Sequence, residues 1–149
     1  MLVLDNPNDL WKVTWELLRV GYDPPTGWLA GGMFAWRTAA KPLTILPQYT
    51  VWDLNDQIHK DPTLQVLDVR QPGEWDAGHI GKAAFISGSE LPHRFEEIDR
   101  KRPVAVVCGS GYRSSVSASL LQHHGHQQVF NVIGGMSAWK TADLPLEKG

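Results

Sequence analysis

Four short apolar runs rich in β-branched residues restrict the fold of this 149-residue chain more than any other feature. They occupy residues 66–69, 84–86, 104–107 and 129–132, and segments of helical character lie between them. Runs of this length and composition are typical of strands buried on both faces of a parallel sheet. Strands that alternate with helices need right-handed crossovers, which put helices on both faces of the sheet. The sequence therefore predicts an α/β fold with a mostly parallel sheet.

Three helices are predicted around these strands. Asp53 is placed to cap a short helix that extends through His59, and two further helices are expected over residues 114–124 and 135–141. The apolar stripe of the second helix consists of Val116, Leu120 and Leu121. Parallel sheets of this kind form their sites beyond the carboxyl ends of the strands.

The overall composition excludes several classes of protein. Apolar residues make up 42% and charged residues 20% of the chain, close to the average for a folded globular domain. The formal charge of −2 offers no basic surface to nucleic acid or anionic lipid. No apolar run approaches the ~20 residues of a membrane helix, and the sequence does not open with a leader pattern. We therefore expect a cytoplasmic protein that binds neither nucleic acid nor membranes.

A sequence repeat divides the chain into two modules. Residues 31–39 read GGMFAWRTA and residues 134–142 read GGMSAWKTA, an offset of 103 residues that can be followed upstream without a gap. The first copy matches only the back part of the second. Residues 1–46 are therefore predicted to be a partial module with its connector, and residues 47–149 a complete module.

The partial module is expected to fold without catalysing a reaction, because at this offset Asp5 aligns with Cys108 and Leu10 with Arg113. A strand at residues 2–4 is followed by a predicted helix over residues 9–20. The apolar stripe of that helix consists of Leu10, Val13, Thr14, Leu17 and Leu18. A strand and two helices cannot enclose a core in ~45 residues. We therefore expect the second module, a second copy of the chain in a homodimer, or a docking partner to cover this stripe.

The lone cysteine carries the strongest chemical signal. Cys108 follows the apolar run 104–107, and a glycine-bearing loop and a helix come after it. With one cysteine the chain has neither an internal disulfide nor a four-cysteine metal site. Loop N–H groups, the helix N-terminus and Arg113 all favour negative charge on sulfur, which predicts a nucleophilic thiolate with a lowered pKa. The alternative is a small buried cysteine that ends a core strand.

Two sets of motifs identify a family resemblance. The first is VLDVR at residues 66–70 with Glu74-Trp75 and Gly78-His79-Ile80, and the second is CGSGYRS at residues 108–114. Together they resemble the rhodanese (sulfurtransferase) homology domain over roughly residues 48–146. The resemblance implies a five-stranded rhodanese-like sheet. It also implies a persulfide on the loop cysteine, taken from a sulfane donor such as thiosulfate and passed to a thiol or cyanide. Gly81-Lys82-Ala83 stands where the family usually has Pro-Gly-Ala, a change confined to a turn.

The candidate site extends from this cysteine to the rest of its loop and to the front motif. Arg113 is expected to hold the anionic sulfite end of thiosulfate or the carboxylate of a thiol persulfide. The other expected substrate-binding residues are Gly109, Ser110, Gly111, Tyr112 and Ser114. The expected supporting residues are Asp68 and Arg70, as a structural pair, together with Glu74 and His79.

We expect neither a cofactor nor a metal. His123, His124 and His126 surround a predicted helix end, where exposed imidazoles explain them without ligation.

Three functions remain open from the sequence. The leading one is a thiosulfate sulfurtransferase, and the second is a sulfur-relay or docking module without turnover. The third is a cysteine phosphatase or an arsenate reductase. Only four residues separate Cys108 from Arg113, whereas related phosphatases have five. By resemblance, the tighter ring suits a single sulfur atom. A degenerate copy before an intact one also resembles the carboxyl-terminal part of fusions with a metallo-β-lactamase-type persulfide dioxygenase.

Overall fold

The chain consists of two compact units, Met1–Ile45 and Leu46–Gly149. The computed structural model describes residues 1–148. No helix within that part of the chain is long and apolar enough to cross a membrane.

The second unit contains a five-stranded sheet in which every pairing is parallel. The strands follow the order β1-β5-β4-β2-β3, so β4 lies at the centre. Their bounds are β1 Gln48–Tyr49, β2 Gln65–Asp68, β3 Ala84–Phe85, β4 Val104–Val107 and β5 Val129–Val132. The four predicted apolar runs are therefore strands, and the predicted α/β fold with a parallel sheet is confirmed. The sequence missed β1, because two residues, one of them a glutamine, leave no apolar run to detect.

The helices of this unit cover both faces of the sheet. They are α3 Val51–Lys60, α4 Pro72–Asp76, α5 Leu91–Arg94, α6 Tyr112–His123 and α7 Gly135–Thr141. Side chains alternate along a strand. Val104 and Val106 of β4 therefore join one apolar cluster, with Leu121 of α6, whereas Ala105 and Val107 join another, with Trp139 of α7. The two clusters form the core.

Two helix predictions need correction. Asp53 does not cap α3: Thr50 is the N-cap, and Asp53 is the third helical residue of a capping box that it forms with Thr50. In α6 the predicted stripe is wrong at Val116, which is 61% exposed. The residues that α6 buries are Ser114, Ser117, Ala118 and Leu121. Small side chains allow a helix to approach its sheet closely, and an apolar periodicity does not detect them.

The first unit contains a short 3-10 turn at Pro7–Asp9, helix α1 Leu10–Arg19 and helix α2 Gly32–Thr38. Leu2 forms a parallel bridge with Trp28. No residue of α1 is fully buried. Leu10, Val13 and Leu17 are half-buried, whereas Leu18 of the predicted stripe is 40% exposed.

The internal geometry of the first unit repeats that of the back half of the second. Trp36 Nε1 donates to the Pro42 carbonyl over 2.9 Å, and Trp139 Nε1 donates to the Pro145 carbonyl over 2.9 Å. Ala40 and Asp143, which follow the two helices, have left-handed φ angles of 50° and 53°. The two helices therefore end in the same turn.

The register of the repeat changes by one residue before that helix. Gly21 (φ 87°) follows α1, and Gly125 (φ 90°) follows α6. The separation of these two glycines in sequence is one residue larger than the separation of Gly31 and Gly134. A Cβ on Gly32 would lie 2.6 Å from the Leu4 carbonyl oxygen, and a Cβ on Gly135 would collide with the Cys108 carbonyl oxygen. Leu4, rather than Asp5, therefore corresponds to Cys108. By the same register Asp9, rather than Leu10, corresponds to Arg113. The gapless alignment could not detect the one extra residue that the first unit has between Gly21 and Gly31.

Candidate active site

Cys108 directly follows the central strand β4, at the carboxyl edge of the sheet. Its side chain is 1% exposed, and it packs in the cluster that contains Val106 and Leu121. The loop from Gly109 to Gly111 then connects it to α6. This edge is where parallel α/β sheets place their sites.

Backbone N–H groups of the loop converge on the sulfur. Gly111 N donates to Cys108 Sγ over 3.1 Å, and the backbone N–H groups of Ser110 and Ser114 help it to lower the pKa of the thiol. The turn requires a glycine at 111, where φ is 102° and a Cβ would lie 3.1 Å from the Val132 carbonyl oxygen. The loop is therefore shaped as an anion-binding nest around one atom.

These donors lower the pKa of Cys108. Burial by itself raises the pKa of the thiol, but hydrogen bonds from the Ser114 hydroxyl and from the backbone N–H groups of Ser114, Ser110 and Gly111 outweigh it. The net effect is a pKa below the ordinary value, as expected from the sequence. A lower pKa increases the fraction of thiolate, which is the attacking form of cysteine.

The N-terminus of α7 holds the loop from the other side. Met136 N donates to the Cys108 carbonyl over 2.8 Å, and Ser137 N donates to the Gly109 carbonyl over 2.9 Å. This approach leaves no space for a Cβ at Gly135. The sequence identified the glycine pair only as part of a repeat and missed this role, for which the signal was two adjacent glycines at a helix start.

Arg113 forms a two-bond ion pair with Glu74. Its Nη1 donates to Oε2 over 2.7 Å and its Nη2 donates to Oε1 over 2.8 Å. The hydrogen bond from Arg113 is the main cause that lowers the pKa of Glu74 to about 2. Nη2 lies beside the loop, because a Cβ on Gly109 would be 3.1 Å from it. The guanidinium expected to bind a donor is thus next to the cysteine loop, with a carboxylate already bound to it.

Asp68 and Arg70 form a buried pair. Arg70 Nε donates to the two carboxylate oxygens over 3.0 and 2.9 Å, and Nη2 donates to the Gly78 carbonyl over 2.8 Å. Both residues are almost completely buried, at 0% and 2% exposure. Their contacts fix the segment after β2, which fits the structural role expected for them.

His79 and Tyr112 differ in solvent exposure, since His79 is buried and Tyr112 is exposed. The ring of His79 stacks on Trp75 with 3.6 Å between centroids, and its Nδ1 lies 3.2 Å from the Trp75 carbonyl oxygen. These contacts make His79 part of the support for the α4 segment. Tyr112, by contrast, is 78% exposed beside the loop.

Asn131 and Gln48, which were not predicted from the sequence, lie behind the cysteine. They are connected to it through Ser114, whose Oγ is 3.3 Å from Cys108 Sγ and 2.6 Å from Asn131 Oδ1. Asn131 Nδ2 donates to Gln48 Oε1 over 2.7 Å, and Gln48 Nε2 donates to the Leu46 carbonyl over 2.8 Å. Strand pairing explains the contact, since Gln48 of β1 is the register partner of Asn131 of β5. A polar residue inside the apolar run VFNV was the available signal.

An open cleft of about 350 Å³ borders the loop. Arg70, Glu74, Gly109, Ser137 and Lys140 contribute to its lining. Two of these side chains are cationic and one is anionic, so the negative charge of Glu74 opposes the binding of a small anion there.

Within residues 1–148, no group of three or more His, Cys, Asp or Glu side chains is arranged to hold a metal ion. The sequence-based expectation of exposed imidazoles near the end of α6 is wrong for His126, which is buried with its ring nitrogens 3.1 Å from the carbonyl oxygens of Leu121 and Ile98. His124 stacks on Phe95 with 3.8 Å between centroids. His126 therefore has polar partners, and His124 has a stacking partner.

Comparison with known proteins agrees with this geometry. The family model for the rhodanese-like domain matches residues 50–142. A putative sulfur carrier protein of Bacillus subtilis, YrkF, is 29% identical over 63% of this chain but only 51% of its own length, so the chain spans about half of that relative. Thiosulfate sulfurtransferase GlpE of Shewanella oneidensis is 32% identical over 58% of this chain and 86% of its own.

A solved structure extends the comparison to three dimensions. The rhodanese-related protein of Thermoplasma volcanium matches with a TM-score of 0.63 and 30% identity, over 69% of this chain and 99% of the other. The parallel sheet, the cysteine loop at its carboxyl edge and the family match over most of the second unit lead to one assignment: this chain belongs to the family of rhodanese-like domains.

Proposed function

We propose that the protein is a sulfurtransferase that moves sulfane sulfur from thiosulfate or a thiol persulfide, through a persulfide on Cys108, to a thiol or to cyanide. The observation that carries the proposal is the hydrogen bond of 3.1 Å from Gly111 N to Cys108 Sγ, in a loop whose other backbone N–H groups, at Ser110 and Ser114, also favour negative charge on the sulfur. A nest of this size stabilises one charged sulfur, and the same groups can receive the outer sulfur of a persulfide.

The reaction divides into two balanced steps. The Cys108 thiolate attacks the outer sulfur of thiosulfate, a sulfur–sulfur bond forms, the original sulfur–sulfur bond breaks, and sulfite leaves with the bonding electron pair. Cyanide then attacks the outer sulfur of the persulfide, thiocyanate leaves, and the Cys108 thiolate is restored. Neither step needs a cofactor or a metal.

Arg113 is the group that we propose for the anionic end of the donor. Its planar fork suits the sulfite oxygens of thiosulfate or a carboxylate. Since Glu74 already accepts two hydrogen bonds from this fork, an anionic donor competes with a carboxylate for Arg113, which favours donors that bring other contacts of their own.

A steady-state assay with thiosulfate and cyanide tests the proposal, with a phosphate ester in a parallel reaction. We expect thiocyanate from the native chain, none from Cys108→Ser, and no phosphate release from either. Phosphate release that depends on Cys108 would instead assign the chain to the phosphatases. The absence of thiocyanate from a native chain that still takes up sulfur would favour the second candidate.

That second candidate is a sulfur-relay module, which loads Cys108 and delivers the sulfur to a protein partner. It is supported by the Glu74–Arg113 pair, which restricts small anions, and by the similarity to a putative sulfur carrier protein. A single reactive thiol suits a reducing compartment, and we therefore also propose a cytoplasmic location.

Residues 1–46 are proposed to be a catalytically inactive partial repeat of the rhodanese-like unit, as in fusions with a metal-dependent persulfide dioxygenase. The shared turns and tryptophan hydrogen bonds support this interpretation.

We propose that two copies of the chain form a dimer through α1, on which Trp11 is 69% and Trp15 is 59% exposed. Sedimentation should then depend on concentration in the native chain and not in a Trp11→Gln, Trp15→Gln variant; a native chain that stays monomeric would contradict it.

A further inference from the structure

The Ser114 hydroxyl has one proton and two acceptors within reach. Cys108 Sγ lies 3.3 Å away and Asn131 Oδ1 lies 2.6 Å away. A hydroxyl donates one hydrogen bond, so the proton can point to only one of them at a time. When it points to Asn131, a lone pair of Ser114 Oγ faces the sulfur. That arrangement suits a thiol, whose S–H can donate to the oxygen, and does not suit a thiolate.

A backbone carbonyl sets the donor and acceptor directions of the hydrogen bonds that connect Gln48, Asn131 and Ser114. The Leu46 carbonyl can only accept, so it binds Gln48 Nε2 and turns Gln48 Oε1 toward Asn131. Asn131 Nδ2 then donates to Gln48, which leaves Asn131 Oδ1 facing Ser114. Each amide is thereby held in one of its two orientations.

We propose that Gln48 and Asn131 are positioning residues. Gln48 holds the Asn131 side chain so that Asn131 Oδ1 competes with the Cys108 sulfur for the Ser114 proton, and these hydrogen bonds set how readily the cysteine ionises. Formation of the thiolate requires the Ser114 hydroxyl to turn away from Asn131 and toward Sγ. The two oxygens of Ser114 and Asn131 are then left 2.6 Å apart without a proton between them. The loop N–H groups act in the opposite sense, because they favour the thiolate whichever way Ser114 points.

Release of the anchor should remove this competition. Without the Gln48 side chain, the Asn131 amide can turn over and donate from Nδ2 to Ser114 Oγ. Ser114 then donates to the thiolate at no cost to a neighbour. Gln48 is exposed at the edge of the sheet, so its truncation leaves the core intact.

The charged groups near the sulfur do not distinguish the variants. They are Arg113 on α6, Glu74 on α4, the buried pair of Asp68 and Arg70, and Lys140 on α7 beside the cleft. Every variant below retains all of them, so their effect on the Cys108 pKa is common to the whole series.

The test is the rate of iodoacetamide alkylation as a function of pH, which reports on Cys108 alone because the chain has one cysteine. We expect Gln48→Ala to lower the midpoint by roughly half a unit to one unit, which is roughly a three- to tenfold faster alkylation below the midpoint. Gln128→Ala, at an exposed glutamine just before β5, is the matched control and should leave the midpoint unchanged.

A second background separates this mechanism from a general change in the fold. Ser114→Ala should raise the midpoint. In the Ser114→Ala background Gln48→Ala should have no further effect on it, because Gln48 and Asn131 act on Cys108 only through the Ser114 proton. The proposal is overturned if Gln48→Ala leaves the midpoint in place or raises it, or if its shift persists in the Ser114→Ala background. The inference gains its catalytic meaning from the proposed function, but alkylation needs no sulfur transfer. A protein that shows the expected alkylation midpoints but never takes up sulfur on Cys108 would therefore contradict the proposed function and not this inference.

Discussion

The first unit and the back half of the second share one backbone design and differ in chemistry. In both, a left-handed glycine opens a seven-residue helix, a tryptophan donates to a proline carbonyl, and a left-handed residue follows the helix. In the first unit Leu4 occupies the position of Cys108, and no fully buried side chain lies on α1. The glycine and tryptophan pattern therefore specifies the turn and the helix, whereas the reactivity that we propose would depend on the cysteine, the loop N–H groups and the elements from residues 48 to 98 that bury them.

A matched pair of glycine substitutions should break this comparison most strongly. Gly135→Ala places a Cβ against the Cys108 carbonyl at a φ of 50° and should cost roughly 2–4 kcal/mol of unfolding free energy. It should also displace the loop and abolish sulfur loading. Gly32→Ala meets the Leu4 carbonyl in the same way, yet loading of Cys108 should persist. Chemical denaturation and intact mass measure the two effects, and equal loss of loading in both variants would show that the first unit contributes to the site.

The tryptophan pair sharpens the comparison through burial. Trp139 is 2% exposed, whereas the bond from Trp36 to Pro42 is open to solvent. Trp139→Phe leaves the Pro145 carbonyl without its donor in a partly buried place and should cost about 1–2 kcal/mol. Trp36→Phe should cost a few tenths of that amount, since water replaces the lost donor. Thermal unfolding checks both, and equal costs would mean that the two environments are alike.

Acid sensitivity should belong to the second unit. The pKa of Glu74 falls from its ordinary value of 4.5 to about 2 in the folded chain, chiefly through its hydrogen bond from Arg113. A depressed folded pKa contributes stability that is present above pH 4.5 and is lost as the pH falls toward 2. The pair is partly exposed, so the contribution is about 1 kcal/mol or less.

Urea unfolding of the native chain and of Glu74→Gln should therefore differ at pH 6 and converge as the pH falls to about 2. A difference that stays constant with pH would remove the ion pair as its cause. With the fork of Arg113 released, Glu74→Gln should also lower the KM for thiosulfate, and a raised KM would show that Glu74 holds Arg113 in the binding position.

The sequence predicted the parallel sheet, four of its strands and the cysteine loop because each rests on a local pattern. It missed β1, since Gln48 and Tyr49 are too short a run, and it misplaced the exposed Val116. The alignment of Asp5 with Cys108 failed because the first unit has one extra residue in a connection that no local pattern marks. The partners of Arg113 and of Ser114 could not be predicted. Glu74 lies 39 residues and Asn131 17 residues away in sequence, and only the sheet order brings them together.

Intact mass after incubation with thiosulfate tests the central claim most directly, because the account assigns all sulfur chemistry to one thiol in one of two similar units. The native chain should gain about 32 Da, the mass of a single sulfur atom on a cysteine nucleophile. Cys108→Ser should gain nothing, and Gly32→Ala should gain as much as the native chain. An unchanged native mass with both thiosulfate and a thiol persulfide as donors would contradict the account.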